Sequence, residues 1–370
     1  VSAPRLVLSA GDVSGDQHAA RLVEALRARV PGLVCEGLGG PRMAAAGCAL
    51  QENLVERAVF GVGAALAEIP HMLSVLRAFD ARLRARRPAA VVVVDYPGLN
   101  LHVARVARRA GVPVVAFVAP QLWAWMPWRA RRLARAASEA LVIFPFEKPF
   151  FERAGLPSTY VGHPLADAIP ERVPVPAAIA GAPCPVALLP GSRGKELRLH
   201  RPAFLEVARR VLQQLPEATF HTAHVTARGR EALAGGPVEV QVHGGDVHGV
   251  MAGCRAALVA SGTATLETAL LGTPMVIAYG LTPVDLLIGR LLVIPELFGK
   301  ANLVAGRRVF PEHVLVDGDV APLVRSLVPL LRETGERRAQ LEALDALRAE
   351  HLRAGATARS ARIIASRYLA

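Results

Sequence analysis

Two glycine turns in the second half of the chain carry the residue types that hold a diphosphate. The first follows the apolar run Val186-Ala187-Leu188-Leu189 and reads Pro190-Gly191-Ser192-Arg193; the second follows Ala257-Leu258-Val259-Ala260 and reads Ser261-Gly262-Thr263, with Glu267 about one helical turn beyond. A Gly/Ser turn between a buried strand and a helix leaves backbone N–H groups unpaired, with the positive end of the helix behind them. Arg193 adds a planar guanidinium that suits phosphate oxygens bidentately, and Glu267 is spaced to accept from sugar hydroxyls. Either turn alone is also an ordinary helix start. The pair predicts one nucleotide-sugar diphosphate site built from Gly191, Ser192, Arg193, Glu196, Ser261, Gly262, Thr263 and Glu267.

Asp95 is the carboxylate placed for proton transfer. It closes the all-apolar run 90–94 and is followed by Tyr96-Pro97, which turns the chain out of a sheet. Partial desolvation there raises a carboxyl pKa and makes the group a better general base near neutrality. An aspartate that merely caps a turn is the competing reading. A third glycine turn, Ser14-Gly15-Asp16, follows the first apolar run and is expected to shape the acceptor side. His163 is assigned either to that side or to packing at a hinge.

These residues need strands and helices behind them, and the patterning supplies both. Apolar runs at 6–9, 90–94, 112–118 and 140–144 alternate with Ala/Arg/Leu segments of helical period, and the scheme repeats at 186–189, 219–224, 238–242, 257–260 and 274–279. Continuous apolar runs without polar alternation suit parallel strands buried on both faces. The fold class predicted is α/β, with two doubly wound, Rossmann-like domains facing a cleft. In open parallel sheets ligands bind beyond the carboxyl ends of the strands, where both turns and Asp95 fall. At 370 residues two domains are expected. Their boundaries are set at 1–165, a Pro-rich linker at 166–185, and 186–355. A long helix is expected over about 333–354, and residues 356–370 form a last helix returning to the first domain.

The chain resembles the lipid-A-disaccharide synthase family, glycosyltransferases of the two-domain B-type fold. The likeness runs through Ser9-Ala10-Gly11-Asp12-Val13-Ser14-Gly15-Asp16, Gly39-Gly40-Pro41-Arg42-Met43, Val94-Asp95-Tyr96-Pro97-Gly98-Leu99-Asn100, Trp123-Ala124-Trp125, Phe144-Pro145-Phe146-Glu147-Lys148 and Val161-Gly162-His163-Pro164. The two donor-side turns and Asn302-Leu303-Val304-Ala305-Gly306-Arg307 complete it. The resemblance implies Asp95 as base, Asn302 and Arg307 near the donor, and Asn100 on the acceptor side. It also implies UDP-2,3-diacylglucosamine (a UDP-diacylglucosamine) as donor, 2,3-diacylglucosamine 1-phosphate as acceptor, a β-1,6 linkage, release of UDP, and no cofactor or metal. The sequence departs from the family's pattern at Asp12, where the family carries glutamate, and at Gly98 and Ala64, where it carries acidic residues. Loss of those carboxylates implies a changed acceptor or reduced activity more than a changed fold. Two other readings stay open: a UDP-sugar 2-epimerase of the same fold, and a membrane-surface nucleotide-sugar-binding protein without turnover.

Charge and composition narrow the partners. The formal net charge is +12, carried almost wholly by arginine, since Lys148, Lys195 and Lys300 are the lysines. A basic surface attracts an anionic membrane or phosphorylated substrates. Segment 60–87 passes Ile69, Met72, Leu73, Leu76 and Phe79 at helical spacing and ends in Arg82, Arg84, Arg86 and Arg87, a pattern shared by interfacial helices and ordinary amphipathic ones. No apolar run reaches the ~18 residues of a spanning helix. The first residues carry no secretory pattern, so a cytoplasmic location, peripheral at the inner membrane, is expected. Trp123, Trp125 and Trp128 form either a wall for acyl chains or core. Cysteines 35, 48, 184 and 254 have no metal-ligand spacing and are expected to be small core residues. No nucleic-acid-binding motif is present. Oligomeric state is left open.

Overall fold

Runs of branched and small aliphatic residues become strands covered on both faces. The stretch Ala90–Val94, alanine followed by four valines, is at most 2% exposed at every residue, as expected for a central parallel strand. The computed structural model describes residues 3–55, 69–124, 126–170, 172–191, 194–224, 233, 236–280, 299–315 and 318–369. The chain divides into unit 1, Val1–Pro164 with Ala354–Ala370, and unit 2, Leu165–Arg353.

Unit 1 is built on β1 (Arg5–Ala10), β2 (Val34–Gly39), β3 (Cys48–Asn53), β4 (Ala90–Val94), β5 (Val114–Phe117), β6 (Glu139–Val142) and β7 (Ser158–Tyr160). Their order is β3-β2-β1-β4-β5-β6-β7, all parallel. Unit 2 is built on β8 (Cys184–Leu189), β9 (Ala218–His224), β10 (Val240–Gly244), β11 (Ala256–Ala260), β12 (Met275–Gly280) and β13 (Glu312–Leu315). Their order is β10-β9-β8-β11-β12-β13, again parallel. Both sheets are doubly wound α/β, as the apolar runs require.

Strand order reverses between β1 and β4 in unit 1, where Ala10 pairs with Val94, and between β8 and β11 in unit 2, where Leu189 pairs with Val259. Such a switch point opens a crevice at the carboxyl ends of the strands. Residues 11–16 and Asp95 flank the first; residues 190–191 and 261–263 flank the second.

The core of unit 1 gathers Val7, Phe79, Val91, Leu101, Val114 and Phe151; that of unit 2 gathers Val186, Phe204, Phe220, Leu258 and Leu327. Each such side chain contributes about 1.5–3 kcal/mol by leaving water. All four cysteines are buried and free, with burial raising the thiol pKa of each.

The stretch 166–185 is more structured than a linker of prolines suggests. It begins in the second half of a short 3-10 turn, Pro164–Asp167, and holds the helix Ala177–Ala180, whose Ile179 is buried, and its last two residues already belong to β8. The final helix, Ala356–Tyr368, packs in unit 1 against helix Val13–Arg29. Arg359 donates from Nε to the Val161 carbonyl at 2.8 Å, Tyr368 donates to Glu139 Oε1 at 2.9 Å, and Arg367 pairs with the other oxygen of that buried carboxylate.

Candidate active site

In unit 1 the chain leaves β4 through two successive residues in the left-handed region, Asp95 at φ 45° and Tyr96 at φ 46°. Aspartate tolerates that region, whereas a bulky tyrosine there is a strained outlier. Strain of this kind costs about 1–3 kcal/mol per residue and persists where surrounding contacts over-determine the turn. Three contacts do so here. The Asp95 N–H donates to the carbonyl of Val118, itself at φ 48°. The Tyr96 ring lies over Gly11, where a Cβ would sit 2.1 Å from it, so only glycine fits.

The third contact is Asn100, buried beneath the turn in helix Pro97–Arg109. Its Nδ2 donates to the carbonyls of Val94 and Asp95, both at 2.9 Å, and of Ser9 at 3.2 Å, while its Oδ1 accepts from the Ser9 hydroxyl at 2.7 Å. Asn100, expected on the acceptor side, therefore spends its amide on holding the ends of β1 and β4 together. It positions Asp95, whose own side chain is half-buried at the rim.

The third glycine turn opens helix Val13–Arg29. Asp12 caps it, accepting from the Gly15 N–H at 2.6 Å, and Ser14 is exposed in the first turn. Asp16 points the other way. Its buried carboxylate accepts from the backbone N–H groups of Gly40 at 2.9 Å and of Arg42 and Met43 at 3.0 Å, capping helix Pro41–Ala45. Of this turn, Ser14 is exposed, Gly15 is buried with its N–H given to the Asp12 cap, and Asp16 is structural. The departures from the family pattern separate likewise: Asp12 works as a cap, Gly98 is exposed with nothing within 4 Å of a Cβ, and Ala64 lies outside the described residues.

Beyond β5 and β6 lies an aromatic cluster. Trp123 meets Phe146 edge-on at 4.9 Å and Phe144 at 6.3 Å, Phe144 and Phe146 stack at 5.6 Å, and the buried His163 ring meets Phe144 at 5.4 Å. Trp123 thus joins packing, Trp128 is exposed, and Trp125 lies outside the described residues. At the polar centre of the cluster is Glu147, which the sequence offers only as part of a motif.

In unit 2 the first diphosphate turn leaves β8 at Pro190–Gly191. Gly191 is at φ 104°, and a Cβ there would approach Glu196 within 2.6 Å. Ser192 and Arg193 lie outside the described residues. Glu196 stands in the first turn of helix Gly194–Leu212. The turn is pinned by His200, which sequence reasoning missed. Its buried ring accepts from the Gly280 N–H at Nε2 (2.9 Å), which leaves Nδ1 to donate to the Pro190 carbonyl (3.0 Å). Burial lowers the pKa of this histidine and holds it neutral.

The second turn departs in one respect from the expectation. The Ser261 N–H continues the sheet, donating to the Ala278 carbonyl at 2.8 Å, so the amides at the helix N-terminus begin at Gly262, the N-cap of helix Thr263–Leu270. Thr263 faces Lys300, whose Nζ donates to its hydroxyl at 3.4 Å. Glu267 lies 4.0 Å from His248 Nε2, and its hydrogen bond raises the histidine's pKa. Asn302, placed near the donor by resemblance, is fully buried and occupied. Its Oδ1 accepts from Val309 and Phe310 N–H at 2.8 and 2.9 Å, and its Nδ2 donates to the Phe310 carbonyl and to Glu312. It shapes the 309–312 strand start, while Arg307 is exposed just beyond the helix Lys300–Ala305. Among the described residues no group of three or more His, Cys, Asp or Glu side chains could hold a metal ion.

The profile of one family, described as lipid-A-disaccharide synthetase, matches residues 6–365. The lipid-A-disaccharide synthase of Thiobacillus denitrificans is 37% identical over 364 residues, covering 96% of this chain and 98% of its own. That of Anaeromyxobacter dehalogenans is 35% identical, covering 96% of each chain. Among solved structures, a putative UDP-N-acetylglucosamine 2-epimerase from Listeria monocytogenes superposes with TM-score 0.67 at 14% identity, covering 98% of this chain and 95% of that one. The calicheamicin glycosyltransferase CalG4 superposes with TM-score 0.61 at 18% identity, covering 100% and 99%. At those identities the structural likeness concerns the fold, which glycosyltransferases and epimerases share.

Proposed function

The chain belongs to the lipid-A-disaccharide synthetase family, and from that premise we propose how its residues carry out the hexosyl transfer that forms lipid A disaccharide. The donor is a UDP-diacylglucosamine and the acceptor a diacylglucosamine 1-phosphate. Asp95 takes the proton from the acceptor hydroxyl as that oxygen forms a bond to the anomeric carbon. The bond from that carbon to the diphosphate breaks in the same displacement, so the configuration inverts and UDP leaves.

The strained Asp95–Tyr96 pair at the switch point carries this reading. A non-glycine pair held left-handed by Asn100, Gly11 and Val118 is a costly way to end a strand, and it fixes one carboxylate at the rim. On the donor side, charge grows on the leaving diphosphate. The amides at Gly191 and at Gly262–Thr263, with the Arg193 guanidinium, stabilise it more in the transition state than in the ground state. Ser14 and Gly15 line the acceptor's approach.

Lipid substrates require contact with a bilayer, and unit 1 offers a suitable edge. Its exposed large apolar residues, Val13, Ile69, Leu73, Met126 and Trp128, all belong to segments at the carboxyl ends of the strands. No helix among the described residues is long and apolar enough to cross a membrane. The exposed apolar edge supports a peripheral, interfacial association with anionic lipid.

Incubation with the UDP-diacylglucosamine donor, with and without acceptor, tests the assignment. UDP formed only when acceptor is added supports the transferase. An isomerised donor would identify an epimerase, and binding without turnover a nucleotide-sugar-binding protein.

A further inference from the structure

Glu147 is fully buried at the start of helix Glu147–Arg153, and both carboxylate oxygens are occupied by neutral donors. Oε2 accepts from the Ile143 and Phe144 N–H groups, each at 3.1 Å, and Oε1 accepts from the Trp123 indole N–H at 3.0 Å. None of these partners is a cation, so no ion pair among the described residues compensates a buried charge. A carboxyl of this kind is seldom kept for packing, because an amide or an apolar residue fills the space without the desolvation cost.

Its location gives that cost a use. β4, β5 and β6 are consecutive in the sheet, with Val94 opposite Phe117 and Phe117 opposite Leu141. Asp95, Val118 and the Ile143–Phe144 amides therefore leave the sheet at the same edge, two strand spacings of roughly 4.8 Å apart. The Asp95 charge is felt at Glu147 across that distance. Burial pushes the Glu147 pKa up to about 7 against the lowering effect of the hydrogen bonds from Phe144, Trp123 and Ile143, and the Asp95 charge adds the smallest contribution, also upward. The other titratable groups facing this centre are Tyr160 on β7, raised by its own burial and by Glu147 and lowered by Arg359, and His163 beside Phe144. Lys148, next in the chain, is paired with Glu152.

We propose that Glu147 is a positioning residue of the acceptor-side centre, which locks Trp123 and the Phe144–Phe146 turn beside Asp95 and, by gaining or losing one proton, sets the basicity of Asp95. Ionised Glu147 raises the proton affinity of Asp95 through like-charge repulsion and so strengthens it as a base. Neutral Glu147 relaxes that repulsion. Transfer should therefore accelerate as pH rises through neutrality.

This inference rests on the transferase reading, and its test separates the two. In the wild-type protein, tryptophan emission is expected to show a transition near neutral pH that Glu147→Gln abolishes, with no substrate present. The pH profile of kcat/KM should show an inflection at the same pH that Glu147→Gln removes, leaving a flat region between about pH 6 and 8. Trp123→Phe keeps an aromatic ring but removes a donor that stabilises the anion, so the kcat/KM inflection should move up by about half to one pH unit. Should Glu147→Gln fold poorly, Trp123→Phe carries the test. A profile that merely scales down in either variant with its inflection unmoved, or an emission transition that survives in Glu147→Gln, overturns the proposal. Absence of wild-type transfer would instead strike the transferase reading and leave the emission test standing.

Discussion

Ser9 and Asn100, 91 positions apart, share a buried hydrogen bond of 2.7 Å that ties the end of β1 to the turn carrying Asp95. Asn100→Leu keeps the volume but strands the Ser9, Val94 and Asp95 carbonyls and the Ser9 hydroxyl. The expected loss is about 2–4 kcal/mol in stability by urea unfolding. Because the left-handed turn is then unsupported, kcat should fall further than the binding of UDP weakens.

That bond also marks where sequence reasoning reaches its end. The apolar strand β4, the aspartate closing it and the glycine turns at 190–191 and 261–263 were legible because each is a local pattern with a local physical cause. Asp16, Asn100 and Asn302 are polar residues in motifs, and their types fit ligand contact equally well; only the fold shows that their donors and acceptors are consumed by backbone of other segments. His200 and Glu147 were passed over for the same reason, since the bonds that define them join the ends of separate strands. Strands β2, β3, β7 and β13 were unforeseen, and all but β2 lie at sheet edges. Those edge strands are short or polar, without the apolar run that identifies a central strand.

Two buried histidines make stability depend on pH. His221 is pushed from 6.5 down to about 4 by burial and by His243, and His200 is lowered by burial. Both take up protons more readily unfolded than folded, so the unfolded state binds more protons below pH 6.5 and stability falls as pH drops. Urea midpoints are expected to be level above pH 6.5 and to decline from there toward about 4. His221→Gln should flatten part of that slope.

One of the ties holding the last helix to unit 1 is the buried carboxylate of Glu139. Arg367→Ala leaves Glu139 with the Tyr368 hydroxyl alone. The half-exposed arginine limits the cost to about 1–3 kcal/mol. Hydrogen exchange should report it first as faster opening of residues 356–368, ahead of global unfolding.

Bilayer contact through the apolar edge predicts that Ile69→Asp with Leu73→Asp lowers binding to vesicles containing anionic lipid by about tenfold or more. UDP binding should be unchanged. Equal sedimentation of the variant and the wild-type protein would move the contact elsewhere.

Asp95→Asn tests the central claim most directly, because it removes the base and leaves the size of the side chain. The measurement is single-turnover formation of UDP with both lipid substrates present, alongside UDP affinity and thermal unfolding as controls. The account predicts a rate lower by about 10²–10⁴ with UDP affinity and stability retained. Turnover at the wild-type rate would contradict it.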